Sequence, residues 1–110
     1  MAVDAAISGW LSRNAGGRFA ALPAVEITGG SLHRCVRWSG DRSDTFVKIA
    51  ALDTLPALAA EAAGLHALAE AGAVRVPDVL AVGAAGEHAL LALEWLDLGR
   101  AADDDGTLQA

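Results

Sequence analysis

The sequence predicts an α+β fold: a five-stranded antiparallel sheet with one long helix packed on it and a second helix at the N-terminus. Apolar residues recur at helical spacing in two segments, and they alternate or cluster in short runs in five others. These segments follow the order helix, three strands, helix, two strands. The 110 residues suffice for one domain, which we divide into an N-terminal helix at 1–18, a sheet domain at 19–98 and an exit segment at 99–110.

The first helix is predicted over residues 2–14. Gly16 and Gly17 follow it and can end it. Its apolar face is formed by residues at three- and four-residue steps, namely Val3, Ala6, Ile7, Trp10 and Leu11.

The second and longer helix is predicted over residues 53–72. Asp53 or Thr54 can cap its N-terminus, and Gly72 can end it. The face predicted to pack on the sheet consists of Leu58, Ala62, Leu65, Leu68 and Ala69.

Short connections between the first three predicted strands indicate an antiparallel meander. Polar and glycine-rich composition predicts turns at residues 39–44 and 83–86. The five strands are predicted at residues 24–28, 32–38, 45–50, 79–82 and 88–95.

Composition and charge exclude several classes of protein. Hydrophobic residues make up 54% of the chain, which is not the composition of a disordered protein. The net charge of −6 disfavours nucleic acid and anionic membranes as partners. No apolar run is long enough to span a membrane, and the N-terminus does not resemble a secretory signal. The single cysteine, Cys35, excludes an internal disulfide, so we expect a cytoplasmic protein.

Lys48 lies within the otherwise apolar strand segment 46–50. A buried ammonium group needs an anionic partner, because burying an unpaired charge costs several kcal/mol. Glu61 is the candidate, since its position between Leu58 and Leu65 places it on the helix face that packs on the sheet. The alternative is that Lys48 extends from a sheet edge into solvent and Glu61 flanks the apolar face.

Gly29, Gly30 and Ser31 lie between the first two predicted strands. Adjacent glycines let the backbone approach a ligand closely, so these N–H groups can face a phosphate; an ordinary hairpin turn is the alternative. The three histidines and Cys35 lack zinc-site spacing, and the acidic run at 103–105 is typical of a solvated loop. No metal site is therefore predicted.

Several stretches together resemble the N-terminal part of the fructosamine kinase (ketosamine 3-kinase) family. The order of glycine-rich turn, strand lysine, helix glutamate and two further strands is that of the small lobe of a protein-kinase-like fold. The resemblance runs from about residue 20 to the end and is carried by residues 29–34, 46–49, 61–68, 74–80 and 88–99.

The resemblance implies an ATP-dependent kinase that phosphorylates the 3-hydroxyl of ketosamines, including those formed on protein lysines, and so reverses glycation. Residues 19–98 would be the ATP-binding half, and 99–110 would leave the hinge toward a second lobe. Lys48 would hold the α- and β-phosphates, and Glu61 would orient it. Gly29, Gly30 and Ser31 would cover the phosphates.

The same resemblance implies an adenine pocket around the end of the last strand. Leu93 would stand at its back, and the backbone of Glu94 and Leu96 would bind the adenine edge. Ile27 and Val36 would form its walls. The implied set around the base is Leu93, Glu94, Trp95, Leu96, Ile27 and Val36.

Two features depart from the family pattern. Some members carry a redox-active cysteine in the glycine-rich turn, but Ser31 occupies that position here and Cys35 lies later. The family's second lobe carries a His-Gly-Asp stretch and an aspartate for Mg²⁺, and neither occurs in these residues. We therefore expect no catalytic residue or metal ligand within the 110 residues, and no transfer by the chain alone.

Two alternatives stay open at the level of sequence. An aminoglycoside or choline phosphotransferase would share the lysine and glutamate but differ in substrate. A non-catalytic α+β binding module would use Lys48 and Glu61 only as a structural ion pair.

Overall fold

A computed structural model describes residues 2–27, 34–72 and 75–96 of the chain. The predicted α+β class and the order of the elements are confirmed. Among the described residues, no helix has the length and apolar character needed to cross a membrane. The elements are helices α1 (Ala2–Asn14) and α2 (Leu55–Ala71) and strands β1 (Val25–Glu26), β2 (Arg34–Trp38), β3 (Thr45–Ala51), β4 (Val79–Ala85) and β5 (His88–Glu94), with a 3₁₀ turn at Leu52–Thr54 before α2.

The five strands form one antiparallel sheet in the order β1-β2-β3-β5-β4. β5 pairs with β3 along its whole length and also with β4, so it lies inside the sheet. The run from Ala89 to Leu93 is buried without alternation. A continuous apolar run is what a strand needs when both faces of the sheet are covered.

Helix α1 covers one face of the sheet, which we call the α1 face. Ile7 and Leu11 are fully buried there, and the Trp38 indole donates a hydrogen bond to the Ala20 carbonyl at 2.7 Å. The predicted apolar face of α1 is confirmed for Ile7, Trp10 and Leu11, whereas Val3 and Ala6 are exposed. The buried cluster on this face comprises Ile7, Trp10, Leu11, Val36, Trp38, Val47, Ile49, Leu90 and Ala92.

Arg34 joins α1 to the edge of the sheet. Its guanidinium contacts the Asp4 carboxylate at 3.0 Å and the Glu26 carboxylate at 2.6 Å. Hydrogen bonds from Arg34 to Glu26, and then to Asp4, raise the pKa of Arg34 above its ordinary value. The charge of Arg34 is therefore constant at every working pH.

Helix α2 covers the opposite face, which we call the α2 face. Leu58 and Ala62 are buried against the sheet, and Gly72 ends the helix in the left-handed conformation at φ +72°, as predicted. The prediction that Leu68 and Ala69 pack on the sheet is wrong, since both are exposed and Leu68 keeps 49% of its surface. Beneath this end of the helix lies an open space bordered by Leu65, His66, Ala69 and residues 77–80.

Two further local predictions need correction. Thr54 is the N-cap residue of α2 but makes no side-chain cap hydrogen bond, and Asp53 lies in the preceding 3₁₀ turn. β4 continues through Gly83 to Ala85, so the turn lies at Gly86 and Glu87 rather than over 83–86.

Gly83 has a packing role within β4 instead of a turn role. A side chain added there would come within 3.3 Å of the Trp10 indole. Glycine inside a strand marks such a close approach, and here it lets α1 lie against the sheet.

The remaining boundaries shift at strand ends. The predicted first strand is shortened to Val25–Glu26, and β5 ends at Glu94, one residue before Trp95. Residues 28–33 and 97–110, which include part of two predicted strands and the predicted exit segment, lie outside the described residues.

Candidate functional site

Lys48 and Glu61 form an ion pair on the α2 face. The Lys48 ammonium donates to both carboxylate oxygens of Glu61, at 2.9 and 3.1 Å. β3 supplies the lysine and α2 supplies the glutamate, so the pairing predicted from sequence is confirmed. The side chains keep 19% and 38% of their surface, and the pair therefore stays open to solvent on one side.

The pair stands at the edge of a cavity of about 440 Å³. Most of its wall is apolar, and the volume lies within the range of small-molecule sites. The four predicted site residues at the end of the last strand, residues 93–96, line the same cavity as the ion pair. The cavity is lined by Phe46, Lys48, Glu61, Leu65, Pro77, Leu93, Glu94, Trp95 and Leu96.

The segment that leaves β5 is attached to the segment before β4. The Glu94 N–H donates to the Asp78 carbonyl at 2.8 Å, and the Asp78 N–H donates to the Glu94 carboxylate at 3.1 Å. Arg75 donates to the same carboxylate at 3.0 Å. The cavity wall at Glu94 is therefore held by both backbone and side chain.

Trp95 is held from the sheet side. Its ring stacks against Phe46 with centroids 6.5 Å apart and an interplanar angle of 27°. The Arg37 guanidinium lies 4.5 Å from the centroid of the same indole, and its Nε donates to Asp44 at 2.7 Å. Sequence reasoning missed Phe46, Arg37 and Asp44, although strand alternation does place Arg37 on the same side as Cys35.

The prediction that Val36 forms a wall of the pocket is wrong. Val36 pairs with Val47 and is fully buried in the cluster beneath α1, on the face opposite the cavity. Adjacent strand residues point to opposite faces, and the register partner of Lys48 is Cys35. Cys35, the residue next to Val36 in β2, is therefore the one on the face that carries the lysine.

Ile27 lies at the edge of the sheet, where its N–H donates to the Cys35 carbonyl at 2.7 Å. Among the described residues, Ile27 does not line the cavity, and its role stays a prediction. Gly29, Gly30 and Ser31 lie outside the described residues, so their contact with a phosphate also stays a prediction.

The arrangement suits an elongated ligand that carries an anionic group at one end and a flat apolar group at the other. The paired ammonium can face the anion, and the Leu93–Leu96 wall with Phe46 offers apolar and aromatic surface. No group of three metal-ligating side chains comes together within the described part of the chain.

Comparison with known proteins gives one consistent result. A sequence model of the family described as Fructosamine kinase matches residues 3–109. A curated Synechocystis protein named as a ketoamine kinase is 30% identical over 94 residues, which are 86% of this chain and 32% of that protein. A crystal structure described as a fructosamine-3-kinase of Haemophilus somnus 129PT matches with a TM-score of 0.70 and 26% identity, over 83% of this chain and 31% of that one. The chain thus spans about a third of the length of these relatives.

Proposed function

We propose that this chain, which belongs to the fructosamine kinase family, forms the nucleotide-binding lobe of an ATP-dependent phosphotransferase acting on ketosamines. The observation that carries the proposal is the ion pair of Lys48 and Glu61 at the edge of an apolar cavity. Membership of the family indicates a kinase. The geometry of the ion pair and the cavity supports nucleotide binding by these residues.

Lys48 would bind the α- and β-phosphates of ATP. Phosphoryl transfer depends mainly on positioning and on stabilisation of charge, and a lysine held by a carboxylate supplies a fixed positive charge. Glu61 contacts the ammonium through two oxygens, which leaves one ammonium hydrogen to donate to phosphate. Gly29, Gly30 and Ser31 would contribute backbone N–H groups over the phosphates.

The base would lie against the wall formed by Leu93, Glu94, Trp95 and Leu96. Leu93 would close the back of the pocket, and the backbone at Glu94 and Leu96 would bind the adenine edge. The fastening of Glu94 to Asp78 supports this role, because a fixed backbone can present its hydrogen-bonding groups with little loss of entropy.

The reaction would transfer the γ-phosphoryl group to the 3-hydroxyl of a ketosamine, free or on a protein lysine, and release ADP. A new oxygen–phosphorus bond forms at the sugar, and the bond between the β-phosphate oxygen and the γ-phosphorus breaks. The base that takes the hydroxyl proton would lie outside the described residues, as would the ligands of Mg²⁺. When bound, Mg²⁺ neutralises charge on the phosphates.

Nucleotide affinity tests the proposal, measured by calorimetry on the complete product of the reading frame that contains these 110 residues. Lys48→Met should weaken ATP binding about tenfold or more, because a charge-assisted contact is lost. Arg13→Met is the control, since Arg13 is an exposed residue in the last turn of α1. Equal ATP affinity in Lys48→Met and wild type would contradict the proposal.

The substrate class is tested on the same complete protein. Phosphate transfer to a fructose–lysine adduct, with no transfer to an aminoglycoside or choline, is the expected result. Transfer to an aminoglycoside or choline alone would contradict the ketosamine assignment and leave the nucleotide site in place.

A further inference from the structure

We infer that Arg37 and Asp44 position the wall of the cavity at Trp95, so that they set the affinity for the nucleotide base without contacting it. The inference rests on the proposed function. It adds two residues, one on β2 and one on the turn before β3, that are not part of the Lys48–Glu61 ion pair.

The Trp95 indole contacts side chains of two neighbouring strands. Arg37 and Phe46 are register partners on neighbouring strands, and both contact the Trp95 indole. At 4.5 Å from the ring centroid, the guanidinium lies within the distance at which a cation is attracted by an aromatic face. The indole is therefore attached to β2 and β3 together.

Asp44 fixes the orientation of the guanidinium. Its carboxylate accepts from Arg37 Nε at 2.7 Å. The two side chains keep 39% and 26% of their surface, so the ion pair itself contributes little to stability. Its effect is geometric, because a guanidinium held at Nε stays close to the indole.

Trp95 lies between Glu94 and Leu96, the two residues whose backbone we propose to bind the base. The carboxylate and N–H of Glu94 are fastened to the segment before β4, and the Trp95 ring is fastened to β2 and β3. The short wall is thus held from two sides. If Arg37 is lost, the Trp95 ring keeps its contact with Phe46 on β3 but loses its attachment to β2. Small displacements of binding groups weaken a ligand that depends on their position.

Two ligands separate the base end of the site from the phosphate end. We expect Arg37→Met to weaken ATP binding about three- to tenfold and to leave tripolyphosphate binding unchanged, as measured by calorimetry on the complete gene product. Asp44→Asn should act in the same direction with a smaller effect. Arg42→Met is the matched control, because Arg42 is an exposed arginine of the same β2–β3 connection.

Fluorescence gives a readout that needs no ligand. The chain contains three tryptophans, of which Trp10 and Trp38 are buried and Trp95 is half-buried. Acrylamide quenching should therefore increase in Arg37→Met and stay unchanged in Arg42→Met, and Arg37→Lys should restore part of the wild-type value.

Unchanged ATP affinity in Arg37→Met would overturn the inference, and so would equal weakening of ATP and tripolyphosphate, which indicates a general charge effect. Unchanged quenching would overturn it as well. These outcomes can be distinguished from a failure of the proposed function, because in that case Lys48→Met would bind ATP with the same affinity as the wild type. A wild-type protein that binds neither ligand overturns both.

Discussion

The α1 face of the sheet is closed by large side chains, whereas the α2 face stays open around Lys48. On the α1 face, Leu11 and Trp38 have no exposed surface. On the α2 face, Leu65 and Trp95 are only half-buried and border a cavity of about 440 Å³. The same sheet therefore supports a packed core on one side and an accessible charged site on the other.

The helices explain this difference. α1 presents Ile7, Trp10 and Leu11, which fill the space above the strands. α2 is rich in alanine and buries only Leu58 and Ala62. Small side chains cannot fill the space between helix and sheet, so room remains for Glu61 to reach Lys48 and for a ligand beside them. The α2 face therefore combines a smaller buried cluster, which includes Leu58 and Leu91, with the open site around Lys48. We expect substitutions to have different effects depending on whether the side chain is buried in either cluster or exposed.

The largest expected effect comes from a matched pair of leucines in the two helices. Leu11→Ala should lower the free energy of unfolding by about 2–5 kcal/mol, because it opens a cavity in the closed face. Leu68→Ala should change it by less than about 1 kcal/mol, because half of that side chain is already exposed. Urea unfolding measures both, and equal losses would contradict the different burial of these two leucines.

A second pair compares glycines. Gly83→Val should cost about 1–3 kcal/mol, since the added side chain would meet the Trp10 indole and push α1 from the sheet. Gly64→Ala should stabilise the protein by about 0.5–1 kcal/mol, because nothing lies within 4 Å of the new methyl group and alanine favours helix. Thermal unfolding distinguishes these signs. A neutral Gly83→Val would mean that α1 does not pack tightly there.

The third prediction, with an expected effect smaller than those of Leu11→Ala and Gly83→Val, concerns a buried polar group on the α1 face. The Thr45 hydroxyl is fully buried and has no hydrogen-bond partner among the described residues. Thr45→Val should therefore raise the free energy of unfolding by about 1 kcal/mol, as it replaces an unsatisfied polar group with an apolar one of similar shape. Thr54→Val, at a partly exposed position with a local side-chain contact, is the control and should not stabilise. A loss of stability in Thr45→Val would show that the hydroxyl is satisfied.

Much of the fold and part of the site could be predicted from local patterns. The helix limits follow from apolar periodicity and from Gly72, and the pairing of Lys48 with Glu61 follows from the cost of burying a lone charge. The placement of Val36 failed because alternation separates Val36 from Cys35 but does not decide which of the two faces α1 covers. The prediction of a turn at 83–86 was wrong because Gly83 makes room for the Trp10 indole, which belongs to a residue more than seventy positions earlier.

The sequence by itself determined the elements, their order and the need of Lys48 for a carboxylate, since these depend on spacing along the chain and on the chemistry of single side chains. Only the tertiary structure decided that β5 lies between β3 and β4, that one face is closed and the other open, and that Arg37, Phe46 and Trp95 meet. Those contacts join residues far apart in the chain, so they depend on which surfaces pack together, and no local pattern encodes that choice.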